Sequence, residues 1–411
     1  MSKRVAILVG GGDVPGLNMC LKSLVYRVID EGFEPIGVRK GWEGLIRYDY
    51  HDPTTYGDNF IELNKHMVRP IDRSSGSFLH SSRVNPLETP AKYIPEFERK
   101  RGKATQDMTP HIKEVVNRLG FKALMIIGDD DMLRYAAHLS KEGVPVIAIP
   151  KTIHNNIHGT DYTIGFSTGL ARGVAFIHEL RSLAGSREQI VVIETFRVNS
   201  GLSTLMVGFL AGVDRVIIPE VPYDPEKLAV LLQRDKALNP SNYAVVLVND
   251  GSKIVEEKIL KYTPHLSPRS QSQVLTLMTE DRAKEADAEA DFTLDEVVET
   301  GTSLAGSGMV VAELMRHLTG EDVFLQSLTY LLRTGSPDGQ DLLGATNFAI
   351  RAARLLKEGK FGRMTAYQQR YNLTDVDLQV VTQGVHGVDV DEMYDPDDYK
   401  PKVNLIWAAQ E

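Results

Sequence analysis

Three short stretches hold residue types that can do chemistry together. Gly10-Gly11-Gly12-Asp13 closes an apolar run at 5–9 and precedes an amphipathic stretch. A glycine turn between strand and helix lets backbone N–H groups approach an anion closely, or serves only as a tight turn. The pattern is neither G-x-G-x-x-G nor a P-loop ending in Gly-Lys-Ser/Thr. Gly128-Asp129-Asp130-Asp131 places three carboxylates at a second such junction. One would suffice to cap a helix. Several suit Mg2+, which takes one or two protein carboxylates plus phosphate oxygens. Lys151-Thr152-Ile153-His154-Asn155-Asn156 is the third stretch. Lys151 is a phosphate ligand or a surface lysine. His154 is a base near neutral pH or a structural hydrogen-bonder.

These stretches need rigid elements to position them. Apolar runs at 5–9, 35–38, 123–127, 144–149, 189–194, 215–218, 243–248 and 323–328 read as strands. Helical patterns separate them from just after Asn18 to about 29, and at about 111–119, 132–140, 166–183, 201–211, 225–233 and 307–318. Strands alternating with helices of this length predict βαβ units and parallel sheets covered on both faces. Ligands in such sheets sit beyond the carboxyl ends of the strands, where all three stretches fall. A strong amphipathic helix at 341–356 precedes two further strands, 364–369 and 373–378, that pair with each other. Residues 49–75 are polar and weakly periodic, and 86–107 read as an excursion. The segment 262–303 turns acidic and reads as a solvated helix, and the tail past 388 reads as irregular.

Composition excludes several classes. The chain has 411 residues, 42% hydrophobic and 25% charged, which suits a globular protein needing no staples. Its net charge of −9, without a long basic run, disfavours nucleic-acid binding. No apolar stretch is long enough for a membrane span, and the amino terminus does not read as a signal peptide. The one cysteine, Cys20, fits a cytoplasmic setting and reads as a small buried residue.

The ensemble of motifs resembles the phosphofructokinase family. Gly11-Gly12-Asp13-Val14-Pro15-Gly16-Leu17-Asn18 is similar to the family's GGDxPGxN loop. The run from Ser75 to Arg83 is similar to GGTxLxTSR, with serine at the first glycine. Gly128 to Met132 stands where GGDGS or GGDDS is usual. Pro150 to Phe166 resembles PxTIDND followed by GTDYTIGF, and Pro219-Glu220 and Arg333-Thr334-Gly335-Ser336-Pro337 match later landmarks. The resemblance implies an α/β fold of two Rossmann-like parallel-sheet domains with the active-site cleft between them. The expected divisions are 1–150 on the donor-phosphate side, 151–330 on the sugar-phosphate side, and 331–411 returning to the first domain.

The resemblance also implies a reaction, phosphoryl transfer from ATP or pyrophosphate to fructose 6-phosphate in glycolysis, with Mg2+. Gly11, Arg83 and Asp131 would face the donor phosphates. Asp131 and Lys151 stand where the family's pyrophosphate users carry Asp and Lys. Thr152 would contact the transferring group, Asp130 would hold Mg2+, and Glu220 and Arg333 would hold the sugar phosphate. A cytoplasmic homo-oligomer is implied, or a hetero-oligomer with an active paralogue.

Several positions depart from the family pattern. His154 stands at the family's aspartate base, and Asn156 at the second, metal-side aspartate. The family's MGR aligns with Phe196-Arg197-Val198, which leaves Arg197 one residue early as a candidate phosphate ligand. Leu342 replaces an arginine, Met132 a serine and Asp129 a glycine. Each charged hydrogen bond to a phosphate is worth about 1.5–3 kcal/mol. Loss of proton-transfer help typically costs about 10²–10⁴ in rate. Standard activity is therefore expected to be absent or strongly reduced, whether His154 substitutes as base or the chain is a noncatalytic regulatory subunit or phosphate-ligand sensor.

Overall fold

The computed structural model describes residues 3–195, 200–274, 306–369 and 372–402. The chain divides into two compact units. The first comprises Met1–Gly169 and Leu331–His386, the second Leu170–Tyr330 and Gly387–Glu411.

The first unit is built on a seven-stranded sheet. Its order is Asn372–Asp377, Arg363–Gln368, Val146–Pro150, Ala123–Gly128, Arg4–Val9, Glu34–Val38 and Phe60–Glu62. The five inner strands run parallel, and each edge strand is antiparallel to its neighbour. Val5–Val9, Ala123–Ile127 and Val146–Ile149 are wholly buried. Such unbroken apolar runs are what burial on both sheet faces demands, and they made these strands legible from sequence. The helices Leu17–Asp30 and Gly339–Glu358 pack together against this sheet.

The second unit carries a four-stranded parallel sheet in the order Val323–Ser327, Ile190–Thr195, Ala244–Asn249, Arg215–Ile217. The last strand opens on a fully buried arginine. Arg215 is tolerated there because Nε and Nη2 donate to the two carboxylate oxygens of Asp235 at 2.5 and 2.7 Å, and Nη1 to Asp398 O at 2.5 Å.

The structure adds detail to two expectations and corrects a third. The polar region 49–75 contains the short edge strand Phe60–Glu62. The excursion at 86–107 is pinned by a two-residue ribbon, Thr89–Pro90 against Thr105–Gln106. The described part of the tail, 388–402, is not irregular. Tyr394–Asp395 pairs with Lys400–Pro401, Tyr394 Oη donates to Val216 O at 2.7 Å, and Tyr399 Oη accepts from Asp224 N at 2.8 Å. Two tyrosine hydroxyls that find backbone partners thus dock an acidic, proline-containing segment. Most of the expected acidic helix, from 275 to 303, lies outside the described residues. No helix among those described is long and apolar enough to cross a membrane.

Candidate functional site

The strands Val146–Pro150, Ala123–Gly128 and Arg4–Val9 are parallel neighbours in one sheet. The loops leaving their carboxyl ends are therefore neighbours too, and they hold all three stretches of candidate chemistry. The first loop is clamped from the side. Asn18 Nδ2 donates to Ser74 O at 3.0 Å and Gly76 O at 2.7 Å, and its Oδ1 accepts from Phe78 N at 3.0 Å. Ser81 Oγ donates to Gly11 O at 2.5 Å, and Gly11 N to Ser82 O at 3.2 Å. These bonds carry Arg83 to the glycine turn.

Gly12 is the meeting point of the cations. A methyl group placed on Gly12 would lie 2.4 Å from Arg333 Nη1 and 3.1 Å from Arg83 Nη2. Lys151 is fully buried, and its Nζ donates to Gly12 O at 2.5 Å. Burial pushes the Lys151 ammonium down to about 8. Asp129 and Asp13 oppose that shift, and Arg333 and Arg83 add to it.

His154 sits inside the same cluster, 6% exposed. Its backbone N–H donates to Thr152 Oγ1 at 3.1 Å, and Arg333 Nη2 donates to its Nε2 at 3.3 Å. A guanidinium can only donate, so the ring nitrogen facing it is the acceptor. Burial first, and then the charges of Arg333 and Arg83, hold the imidazole well below its ordinary value. His154 is thus neutral, with the Nε2 lone pair engaged.

The loop around it is held by its own side chains. Asn155 adopts φ +52°, with Nδ2 donating to Asp161 O at 3.0 Å. Thr163 Oγ1 donates to Thr152 O at 2.6 Å. Asp341 is completely buried and accepts from Gly165 N at 2.7 Å, Thr168 N at 2.9 Å and the Tyr162 hydroxyl. Leu342, the next residue, lies half-buried in the same helix.

The three aspartates separate in role. Asp129 caps the helix Asp130–Lys141 and also accepts from Gly12 N at 3.0 Å. Asp130 Oδ2 pairs with Arg134 Nε at 2.8 Å, while its Oδ1 is buried without a partner. Burial raises the Asp130 carboxyl and Arg134 works against that. Asp131 is exposed. Asn156 Oδ1 is a second buried oxygen without a hydrogen bond. Among the described residues no group of three His, Cys, Asp or Glu side chains could hold a metal. Asp130 Oδ1 and Asn156 Oδ1 are oxygens of the kind that could face a hard cation, but so few protein ligands would suit only one that phosphate oxygens also hold.

Glu220 belongs to the second unit. Its Oε1 accepts from Gly201 N at 2.8 Å and Val388 N at 3.2 Å, and Oε2 is buried without a partner. Arg197 and Val198 lie outside the described residues. Two contacts escaped sequence reasoning: Asp129 on the Gly12 N–H, and Arg333 on His154. Neither has a local signal, since 117 and 179 residues separate the partners. The Asp130–Arg134 pair did have one, its i,i+4 spacing.

A family model for phosphofructokinase matches residues 4–356 of this chain. The chain belongs to the phosphofructokinase family. Among its relatives is a pyrophosphate–fructose 6-phosphate 1-phosphotransferase of Dictyoglomus thermophilum, 30% identical over 390 residues, covering 95% of this chain and 96% of that protein. An ATP-dependent 6-phosphofructokinase of Lysinibacillus sphaericus is 27% identical over 388 residues, covering 94% and 96%. Among solved structures, a pyrophosphate-dependent phosphofructokinase of Nitrosospira multiformis superposes with a TM-score of 0.72 at 14% identity. That match covers 98% of this chain and 89% of the other, and it establishes a phosphofructokinase fold. The relatives carry both donor names, so kinship alone does not choose between donors.

Proposed function

We propose that this phosphofructokinase-family chain binds the phosphates of pyrophosphate or ATP at Gly11, Arg83 and Lys151. We further propose that its transfer of a phosphoryl group to fructose 6-phosphate is absent or strongly reduced. The observation that carries this reading is the state of His154, a buried neutral imidazole facing Arg333 where the family keeps its aspartate base. Burial lowers the proton affinity of an imidazole and raises that of a carboxylate. The substitution therefore weakens the base in the very environment that would strengthen an aspartate.

The remaining roles follow the family pattern. Lys151 and Asp131 favour pyrophosphate over ATP, Thr152 faces the transferring group, and Asp130 holds Mg2+ with Asn156 beside it. Mg2+, when bound, would neutralise phosphate charge. Arg333, Glu220 and Arg197 are the sugar-phosphate ligands, with Val198 and Leu342 marking arginines lost from that set. The concentration of Arg83, Arg333 and Lys151 around Gly12 also supports a second reading, a noncatalytic regulatory subunit or phosphate sensor. Either form works in the cytoplasm as an oligomer, with itself or with an active paralogue.

Binding is tested by thermal melting. Pyrophosphate or ATP with Mg2+, at about 100 times its Kd, adds about 2.7 kcal/mol of stability and raises the Tm by several degrees. A Tm unmoved by either ligand, and by inorganic phosphate, would remove the donor site from the account.

A further inference from the structure

We propose that Asp129 is a built-in anion of the glycine turn, competing with an incoming phosphate for the Gly12 N–H and its ring of cations. The inference rests on the donor-phosphate reading of this site and deepens it.

Geometry comes first. The Gly12 N–H, the turn's donor, already gives its hydrogen bond to Asp129 Oδ2 at 3.0 Å. The carboxylate lies flat against Gly11. A Cβ built there would sit 1.9 Å from Oδ2 and 2.3 Å from Oδ1. Gly11 has φ +76°, so a side chain is excluded by conformation as well as by contact. The turn that presents itself to an anion is therefore covered by a carboxylate from the next loop.

Charge comes second. Arg333 and Arg83 crowd Gly12 from one side, and the fully buried Lys151 reaches its carbonyl. Cations this close repel one another, and Asp129 supplies a negative charge among them. A phosphate would supply more negative charge, and more acceptor oxygens, in the same place.

Capping does not require this residue. The cap bond, Met132 N to Asp129 Oδ1, is long at 3.5 Å, and Ser or Asn caps a helix as well as Asp. The distinctive contribution of an aspartate is its charge over the turn. Asp129 therefore sets how strongly an inorganic phosphate or pyrophosphate must compete before it binds.

The test is calorimetric titration of the full chain and its Asp129→Asn and Asp129→Ser variants with pyrophosphate and with inorganic phosphate, without metal. Asparagine keeps the size and the cap while removing the charge, and serine also withdraws the group from Gly11. Both variants should bind pyrophosphate at least about tenfold more tightly than the parent, and both should melt lower than the parent without ligand. Equal or weaker binding by folded variants, with the parent binding normally, overturns the inference and leaves the donor site standing. Binding by the variants alone supports the inference and overturns the reading that the parent itself holds a donor. No binding by any of the three overturns both.

Discussion

Replacing His154 with aspartate raises the rate of phosphoryl transfer from pyrophosphate to fructose 6-phosphate by about 10²-fold or more at saturating substrates. The size follows from the usual worth of a positioned base, about 10²–10⁴. The direction follows from burial. His154 is enclosed, and enclosure is the first cause of its lowered proton affinity. Arg333 and Arg83 disfavour an added proton on either side chain, so they do not distinguish the two. Desolvation does, because it penalises the charged form of each: the protonated imidazole but the deprotonated carboxylate. Aspartate at 154 would also accept from Arg333 without using its only lone pair. Steady-state and single-turnover rates of the purified variant check this. An unchanged rate in a His154→Asp protein that still binds pyrophosphate would mean that the side chain at 154 does not limit the reaction.

Replacing Lys151 with methionine removes a pH-dependent penalty of about 3 kcal/mol, since each tenfold loss of proton affinity on folding costs about 1.4 kcal/mol. The folded ammonium titrates at about 8, against 10.5 for the free group. Between these values the unfolded chain binds a proton that the native chain has released, so stability rises with pH across the window. Below about 8 both states are protonated and the full cost of burying the charge is present. The parent should therefore gain stability from pH 8 to 10.5 relative to Lys151→Met, whose profile lacks that rise. The advantage of the variant is greatest at neutral pH and shrinks as pH rises. Loss of the bond to Gly12 O offsets part of it, about 1 kcal/mol. Denaturant melts of both proteins across this range measure the difference in slope. Parallel profiles would show that Lys151 is solvated, and that water enters the cation cluster at Gly12.

How much of this was legible depends on whether the controlling interaction is local. The runs at 5–9 and 123–127 announce buried parallel strands because every residue in them is apolar. The pair 364–369 and 373–378 was legible as partners because two strand-like stretches flank a short turn, and they do pair antiparallel. The strand Phe60–Glu62 was not legible, since three edge residues among polar neighbours carry no period. The docked tail was hidden because its anchors, Tyr394 and Tyr399, bond to groups some 175 residues or more away. At the site, the loops and their glycines could be read, and so could the exchange of two carboxylates for His154 and Asn156. Their consequence could not. That Asp129 would cover Gly11 is a matter of which strands lie side by side, and that Arg333 would cross 179 residues to face His154 is a matter of where the helix Gly339–Glu358 packs on the sheet.

Steady-state turnover of fructose 6-phosphate by the purified parent chain, with Mg2+ and with pyrophosphate or ATP as donor, tests the central claim most directly. Kinases commonly turn over at about 1–100 s⁻¹. A chain with a buried, neutral histidine beside two guanidinium groups at this position should fall at least about 10²-fold below that range with both donors, while pyrophosphate still raises its Tm. Turnover within that range with either donor would contradict the account, and would make His154 a working base in spite of its surroundings.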